Sequence, residues 1–585
     1  MKIRFIGAIG TVTGSCTLIT HRRRYYLVDC GTTQGNDAIN GADAQLPFKA
    51  AGIAGVFLTH AHLDHCGMLP QLVKQGFRGY VYCTRATADL TKLALTDAAS
   101  LPNAPFTADD VNRLQFFCFD DRPDFQFGKS FGLDSNFSVS LIRTSHVLGS
   151  VGFEFQFAGT RNGASSPRKT IVFSGDIGCN VDGNCYQSLL NSRQYPSTHA
   201  EYLVCESTYG GRNRDPRFTN YAERMQSLKT TVLKAATRGP GATIIFPCFT
   251  MQRMQELQLD LHTLMEHHLD EAELGQLNFD ALPEIIIDSP LSRKYGEVFS
   301  RELLRKRANG KYSYLNSELT GRLKLDHESL AELLARLFGN DQNNREFHNY
   351  TLGFGTQANQ NHVGLRIILA GSGMCTGGRI MEHLRRNLPN ENTTVVLTGY
   401  QGGGTPGAEL MNRAINPIAA IDGTPWGIAG CEIKATVVDL SGFFSGHADH
   451  GGLLDFIFSK NSSHPYLALK RVFLVHGDNQ ARQELCRAIE HETQSLSTSK
   501  RQVERVEMPN PENRWFDLDK NKWVWDYHPQ VELAEQAVAS GFGRLQKLEG
   551  MLLEFCEKSS DGKAVSEMIN QLNIAKLHLA SARQV

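Results

Sequence analysis

Four side chains of metal-ligating type stand within six residues at His60-Ala61-His62-Leu63-Asp64-His65. Imidazole and carboxylate together suit zinc or another borderline divalent ion. The stretch follows the apolar run Gly55-Val56-Phe57-Leu58, which reads as a short buried strand, so the four ligands are presented where the chain leaves a sheet. One ion rarely takes four ligands from six consecutive residues, because the backbone cannot wrap a tetrahedron that tightly. Two adjacent ions, each drawing on part of the set, is the easier geometry. The stretch reads as a metal site.

Further residues of the same type lie at strand ends beside glycine, which lets backbone come close. Asp29 follows Tyr25-Tyr26-Leu27-Val28 and precedes Cys30-Gly31. His146 stands in Arg143-Thr144-Ser145-His146-Val147-Leu148-Gly149, and Asp176 closes Ile171-Val172-Phe173-Ser174-Gly175-Asp176. Glu206 is delivered by Tyr202-Leu203-Val204-Cys205 into a polar turn. His447 lies in the Ser/Gly loop Ser441-Gly442-Phe443-Phe444-Ser445-Gly446-His447-Ala448-Asp449, and His476 ends the buried run Arg471-Val472-Phe473-Leu474-Val475. By contrast, Gly7, Gly10 and Gly14 do not fit G-x-G-x-x-G and precede no long helix, so they read as a turn between the first two strands.

These residues need a large, mixed framework. The chain has 585 residues, 41% of them hydrophobic, enough for about 3–4 domains. Lys+Arg 60 against Asp+Glu 61 leaves a net charge of −1, so nucleic acid could be held only in a local basic groove. Thirteen cysteines, odd in number and without a C-x-x-C pair, favour a reducing compartment over a disulfide framework. Met1-Lys2-Ile3-Arg4-Phe5 enters a strand directly, and no apolar run reaches the ~18–20 residues of a membrane span. The expectation is a soluble, cytoplasmic protein with no membrane partner.

Residues 1–209 read as a first domain of strands and Gly-rich turns, with a helix over 84–99 and a loop-rich stretch from Pro102 to Gly132. The texture then changes. Three strand–helix units follow, with strands at 242–247, 284–288 and 366–370 and helices near 251–268, 291–307 and 377–388. Alternating strand and helix argues a parallel sheet covered on both faces, and hence a second domain over 210–394. The polar segment 311–362 lies inside it. Thr393-Thr394-Val395-Val396-Leu397-Thr398 reads as a return to the first domain, which resumes over 395–510. Residues 511–585 are a linker and a helical extension, with Leu545, Leu548, Met551, Leu552 and Phe555 on one helical face. Trp515, Trp523 and Trp525 read as packing anchors. The fold class is α/β with much antiparallel strand.

The pattern His-x-His-x-Asp-His, with Asp29, His146 and Asp176 in their settings, resembles the metallo-β-lactamase superfamily. Glu206, His447 and His476 look like motifs A, B and C of its β-CASP branch, in which a second domain interrupts the first. The resemblance covers roughly residues 1–510 and implies an αββα sandwich interrupted by a β-CASP domain with a parallel sheet. It implies that His60, His62 and His146 hold one zinc and that Asp64, His65 and His476 hold another. Asp176 would bridge them and Asp29 would orient a ligand histidine from behind. Manganese is the alternative metal. Asp64, Glu206 and His447 would be the catalytic residues, His447 giving the leaving sugar oxygen its proton while Glu206 orients and charges it. In the inserted domain Arg253, Gly371-Ser372-Gly373-Met374-Cys375-Thr376-Gly377-Gly378-Arg379, Gln401 and Thr405 also match the branch. Ser372, Gly373, Thr376, Gly377 and Arg379, with Arg253, Gln401 and Thr405, are the expected RNA and phosphate contacts, since glycine-rich turns opening a helix present backbone N–H groups. Histidine at motif C resembles the RNA-processing members, whereas members acting on DNA often carry valine. The implied activity is a zinc-dependent phosphodiesterase cleaving single-stranded RNA as an endonuclease, with exonuclease action open. A DNA nuclease and a catalytically silent RNA-binding subunit are the alternatives, and a homo-oligomer is left open.

Overall fold

The computed structural model describes residues 1–33, 46–158, 160–161, 164–165, 167–197, 199–278, 281–339, 345–355, 363–417, 419–458, 469–495, 502–510 and 514–525. The predicted helical face at 545–555 lies outside them. The chain forms two compact units, one of Met1–Pro511 with Leu518–Asn521, the other of Glu512–Asp517 with Lys522–Val585. In the second, Arg514–Asp517 and Lys522–Trp525 form an antiparallel hairpin in which the Phe516 and Trp523 rings meet edge to face at 5.2 Å.

Among the described residues the first unit is built on three large sheets. One runs in the order Lys2–Gly7, Cys16–His21, Arg24–Val28, Ile53–Phe57, Tyr80–Cys83, Gln115–Cys118. Its first three strands are antiparallel neighbours and its last three run parallel to Arg24–Val28. The last strand lies inside the stretch expected to be loop. Four residues between turns are too short a run to show alternation. The second sheet has the order Val506–Glu507, Arg471–Val475, Tyr202–Glu206, Lys169–Phe173, Val151–Phe157, Phe137–Arg143, Phe131–Asp134. The two sheets meet through aromatic side chains: Phe57 contacts Phe153 and Phe155 edge to face at 5.4 and 4.8 Å, and Phe5 lies 5.3 Å from Phe473. Edge-to-face pairs of this kind add to the burial energy of the rings themselves.

The third sheet is the predicted inserted one. Thr243–Pro247, Glu284–Asp288 and Arg366–Ala370 are parallel neighbours, buried along their length but for the half-buried Arg366. Alternate residues serve opposite faces. Ile244, Phe246, Ile285 and Ile287 pack toward helices Tyr221–Ala236 and Arg253–Thr263, while Ile245, Ile286 and Ile368 pack toward Arg379–Asn387 and Pro406–Ile415. Continuous apolar runs are what such a doubly covered strand requires.

The expected boundary at 394 is displaced. Thr393–Leu397 stays in the third sheet, paired parallel with Thr243–Pro247, and Thr436–Asp439 adds beyond it. The chain returns to the second sheet only at Arg471–Val475, between Tyr202–Glu206 and Val506–Glu507. A strand buried on both faces carries no alternation that says which sheet it joins, so the pairing is settled by tertiary contacts.

Candidate active site

The ends of strands in the first two sheets converge on one cluster. Ile53–Phe57 delivers Thr59 to His65, Lys169–Phe173 delivers Asp176, and Arg471–Val475 delivers His476. His60, His62, His146 and Asp176 each place one ligand-type atom within 4.8 Å of the others, and so do Asp64, His65 and His476. His62 Nδ1 lies 3.2 Å from His60 Nε2 and 3.2 Å from His146 Nε2. Asp176 faces both groups: Oδ2 is 3.5 Å from His60 Nε2 and from His146 Nε2, and Oδ1 is 3.3 Å from His65 Nε2 and 3.7 Å from His476 Nε2.

The nitrogens turned away from the cluster are held. His65 Nδ1 is 2.8 Å from Asp29 Oδ2, whose carboxylate also accepts from Thr59 N and Oγ1, each at 2.8 Å. His60 Nδ1 meets Thr59 Oγ1 at 3.1 Å, His476 Nδ1 meets Thr208 Oγ1 at 3.0 Å, and His146 Nδ1 meets Gly446 O at 3.1 Å. Such partners fix ring orientation and tautomer in metal sites. Asp29 is legible in the sequence. Thr59, Thr208 and the Gly446 carbonyl are not, since hydroxyls and carbonyls carry no spacing signal.

The backbone is bent to make this possible. Asp29, Ser145 and His476 have φ of 58°, 57° and 51°, a region that non-glycine residues visit at some energetic expense and chiefly where surroundings enforce it. Gly31 cannot be replaced easily, because a Cβ there would stand 1.7 Å from the Asp64 carbonyl oxygen.

Charge and burial divide the histidines. Burial, with the neighbouring histidines, holds His60 and His146 well below the usual imidazole range, and burial also lowers His62. The three are therefore neutral Lewis bases at neutral pH, the form a metal takes. Burial opposes charge on His476, but Asp176 and Asp64 outweigh it and push it up to about 9. Burial likewise opposes the ionised Asp64, and His476 with His65 brings it down to about 2. Asp176 Oδ1 is buried without a hydrogen-bond partner among the described residues. An orphaned buried carboxylate oxygen ringed by six further ligand-type side chains fits a divalent cation.

His447 completes the site from another direction. Its Nδ1 is 3.2 Å from both Glu206 oxygens and its Nε2 is 4.0 Å from Asp176 Oδ2. Glu206 is fixed in turn, accepting from Ile177 N at 2.5 Å and Thr208 N at 3.3 Å. Burial opposes a charged His447, and Glu206 more than offsets it, so its pKa is raised.

Family models match in three places: "Metallo-beta-lactamase superfamily" over residues 9–151, "Beta-Casp domain" over 254–410 and "Zn-dependent metallo-hydrolase RNA specificity domain" over 430–500. Ribonuclease TTHA0252 of Thermus thermophilus is 30% identical over 488 residues, 82% of this chain and 94% of that protein. The chain belongs to the β-CASP branch of the metallo-β-lactamase superfamily. Transcription termination factor FttA of Methanocaldococcus jannaschii is 27% identical across 82% of this chain and 67% of its own length. Endoribonuclease YSH1 of Eremothecium gossypii is 24% identical across 88% of this chain and 59% of its own length.

In this β-CASP chain the expected phosphate contacts divide into two kinds. Arg379 is exposed and opens helix Arg379–Asn387 directly after the glycine turn. Thr376 is exposed beside it, its N–H donating to Ser372 Oγ at 3.0 Å. Gln401 is committed to structure: its amide donates to Gly373 O at 3.0 Å and Gly399 O at 3.1 Å, tying the two glycine turns together. Thr405 caps helix Pro406–Ile415. Arg253 is 7% exposed, its guanidinium lies 5.6 Å from the Phe444 ring centre with Nε and Nη1 unpartnered among the described residues, and burial pulls its pKa down to about 10. It stands at the first turn of a helix buried along its whole length.

Among the described residues no helix is long and apolar enough to cross a membrane.

Proposed function

We propose that this chain is a zinc-dependent phosphodiesterase that cleaves single-stranded RNA endonucleolytically. The observation that supports the reading is the pair of ligand clusters with Asp176 facing both, and the Glu206–His447 pair facing the same carboxylate. The RNA specificity domain and the ribonuclease names of the relatives support RNA as substrate.

His60, His62 and His146 would hold one zinc, Asp64, His65 and His476 a second, and Asp176 both. Zinc held there would supply a water of lowered pKa, from 15.7 toward ~7, and charge to offset that developing on the phosphoryl oxygens. The chain's own residues supply the rest. Glu206 holds the Nδ1 proton of His447 and favours its charged form. That leaves Nε2–H directed toward Asp176, where the departing sugar oxygen collects its proton. Burial of the whole site strengthens each of these electrostatic contacts.

The test joins metal analysis to cleavage of an internally labelled RNA. The expected result is about two zinc ions per chain and internal cuts that His447→Ala slows by ~10²–10⁴-fold in kcat without loss of zinc. One ion, or a His447→Ala protein that loses zinc, would refute the assignment of roles.

A further inference from the structure

The loop that carries His447 bridges two hydrophobic cores. Phe443 and Phe444 pack into the core of the third sheet, and Ala448 packs into the core that includes Leu203, Val472 and Leu474 of the second. Only Ser445, Gly446 and His447 lie between, and none of the three can be held by apolar packing. Their carbonyl oxygens are held instead. Ser445 O accepts from Gln187 Nε2 at 2.7 Å and from Cys179 Sγ at 3.2 Å. His447 O accepts from Cys179 Sγ at 2.8 Å and from Arg214 Nη2.

Arg214 is the centre of this arrangement. Its Nη1 donates to Tyr186 Oη at 2.6 Å and to Cys179 Sγ at 2.8 Å, and its backbone N donates to Asp449 Oδ2 at 3.0 Å. Its guanidinium lies 5.9 Å from the centre of the Tyr209 ring, which itself stands edge-on to His447 at 5.8 Å. Tyr209 Oη receives the Ser445 hydroxyl at 3.1 Å. Among the described residues the guanidinium's hydrogen bonds go to two carbonyls, a phenol and a cysteine sulfur, and to no carboxylate. A guanidinium's planar fork can hold such a carbonyl in one direction, where a lysine ammonium would not.

We propose that Arg214 is a positioning residue for His447: with Cys179 it grips the His447 carbonyl and so keeps Nδ1 on Glu206 and Nε2 directed at Asp176. The inference rests on His447 acting as the proton donor. Among the described residues the Arg214 guanidinium bonds to no side chain of the two ligand clusters; it reaches the His447 and Ser445 carbonyls, Cys179 and Tyr186.

The decisive measurement is a double-mutant comparison in the full-length, zinc-loaded protein. Arg214→Gln, His447→Ala and the double variant are assayed on single-stranded RNA and on bis(nitrophenyl) phosphate, whose leaving group departs without a proton. Displacing a reacting group by about 1 Å can cost ~10²-fold. Arg214→Gln is therefore expected to lose kcat on RNA by about that factor, with KM within about twofold and zinc content unchanged. It should lose little on the nitrophenyl ester, and it should add nothing further to His447→Ala, since residues acting as a unit are non-additive. Should Arg214→Gln fail to fold, Arg214→Lys and Cys179→Ala carry the same comparison. Equal losses on both substrates, or losses that multiply in the double variant, would overturn the proposal while leaving His447 as the acid. A His447→Ala protein with wild-type kcat on RNA would overturn both readings together.

Discussion

Arg224 lies on helix Tyr221–Ala236 and is fully buried beside two carboxylates that are buried as deeply, Glu256 and Asp260. Its Nε donates to Asp260 at 2.9 Å, Nη2 reaches Glu256 at 3.3 Å, Nη1 donates to the Phe443 carbonyl at 3.1 Å, and the Phe444 ring centre lies 4.1 Å away. The carboxylates reach on into the first domain, Glu256 accepting from Ser188 N and Leu189 N and Asp260 from the Ser188 hydroxyl. Arg224→Met therefore leaves two buried acidic groups without their cation. Removing one partner of a buried pair costs about 3–5 kcal/mol, and the orphaned carbonyl adds ~1–3 kcal/mol less whatever relaxation recovers. The predicted deficit is at least ~3 kcal/mol at neutral pH. It should also depend on pH. Burial already pushes the Glu256 carboxyl up while Arg224 pulls it down, so in the variant a carboxyl takes up a proton in the folded state. A folded-state pKa raised above the unfolded value gives stability that is lost as pH rises, by up to ~1.4 kcal/mol per unit. The deficit should thus be larger at pH 8 than at pH 6. Urea unfolding at both pH values tests this, with the neutral triple variant Arg224→Met/Glu256→Gln/Asp260→Asn expected to regain most of the loss. A deficit under ~1 kcal/mol that is flat with pH would refute the reasoning.

Four other outcomes follow from the same structure. Thr208→Val removes the partner of His476 Nδ1 and should weaken one zinc by ~10–100-fold and leave the other, seen by titrating metal-free protein. Asp176→Ala should lower the affinity for both ions, whereas His62→Ala should lower one, measured as bound zinc after dialysis. Arg379→Ala should reduce the salt dependence of RNA binding by about one phosphate contact, and an unchanged slope would place the groove elsewhere. His262, whose Nδ1 meets Tyr350 Oη at 3.1 Å, is brought down to about 3 by burial with help from His267 and Arg336. Its folded pKa lies below the unfolded ~6.5, so the stability it contributes is present above that value and falls as pH drops, by ~2 kcal/mol at pH 5. His262→Gln should flatten the acid limb of stability by that amount in the zinc-loaded protein.

The candidate ligands were legible in the sequence because four of them share one loop and the others follow short strands, so local spacing carries the information. The inserted parallel sheet was legible for a similar reason, since strand–helix alternation is a local pattern. Tertiary structure alone decided what stands behind the ligands. Gly446 reaches His146 across 300 residues, and Thr208 reaches His476 across 268. A carbonyl or a hydroxyl looks the same in sequence whether or not a ring nitrogen meets it. The surroundings of Arg253 were decided there too, because an arginine at a helix start says nothing of its burial until the packing of Phe444 against it is known. The same holds for Thr393–Leu397, whose residues are buried throughout and would satisfy either sheet. Hydrogen-bonded pairing between distant strands settled its place, and no pattern within five residues encodes that choice.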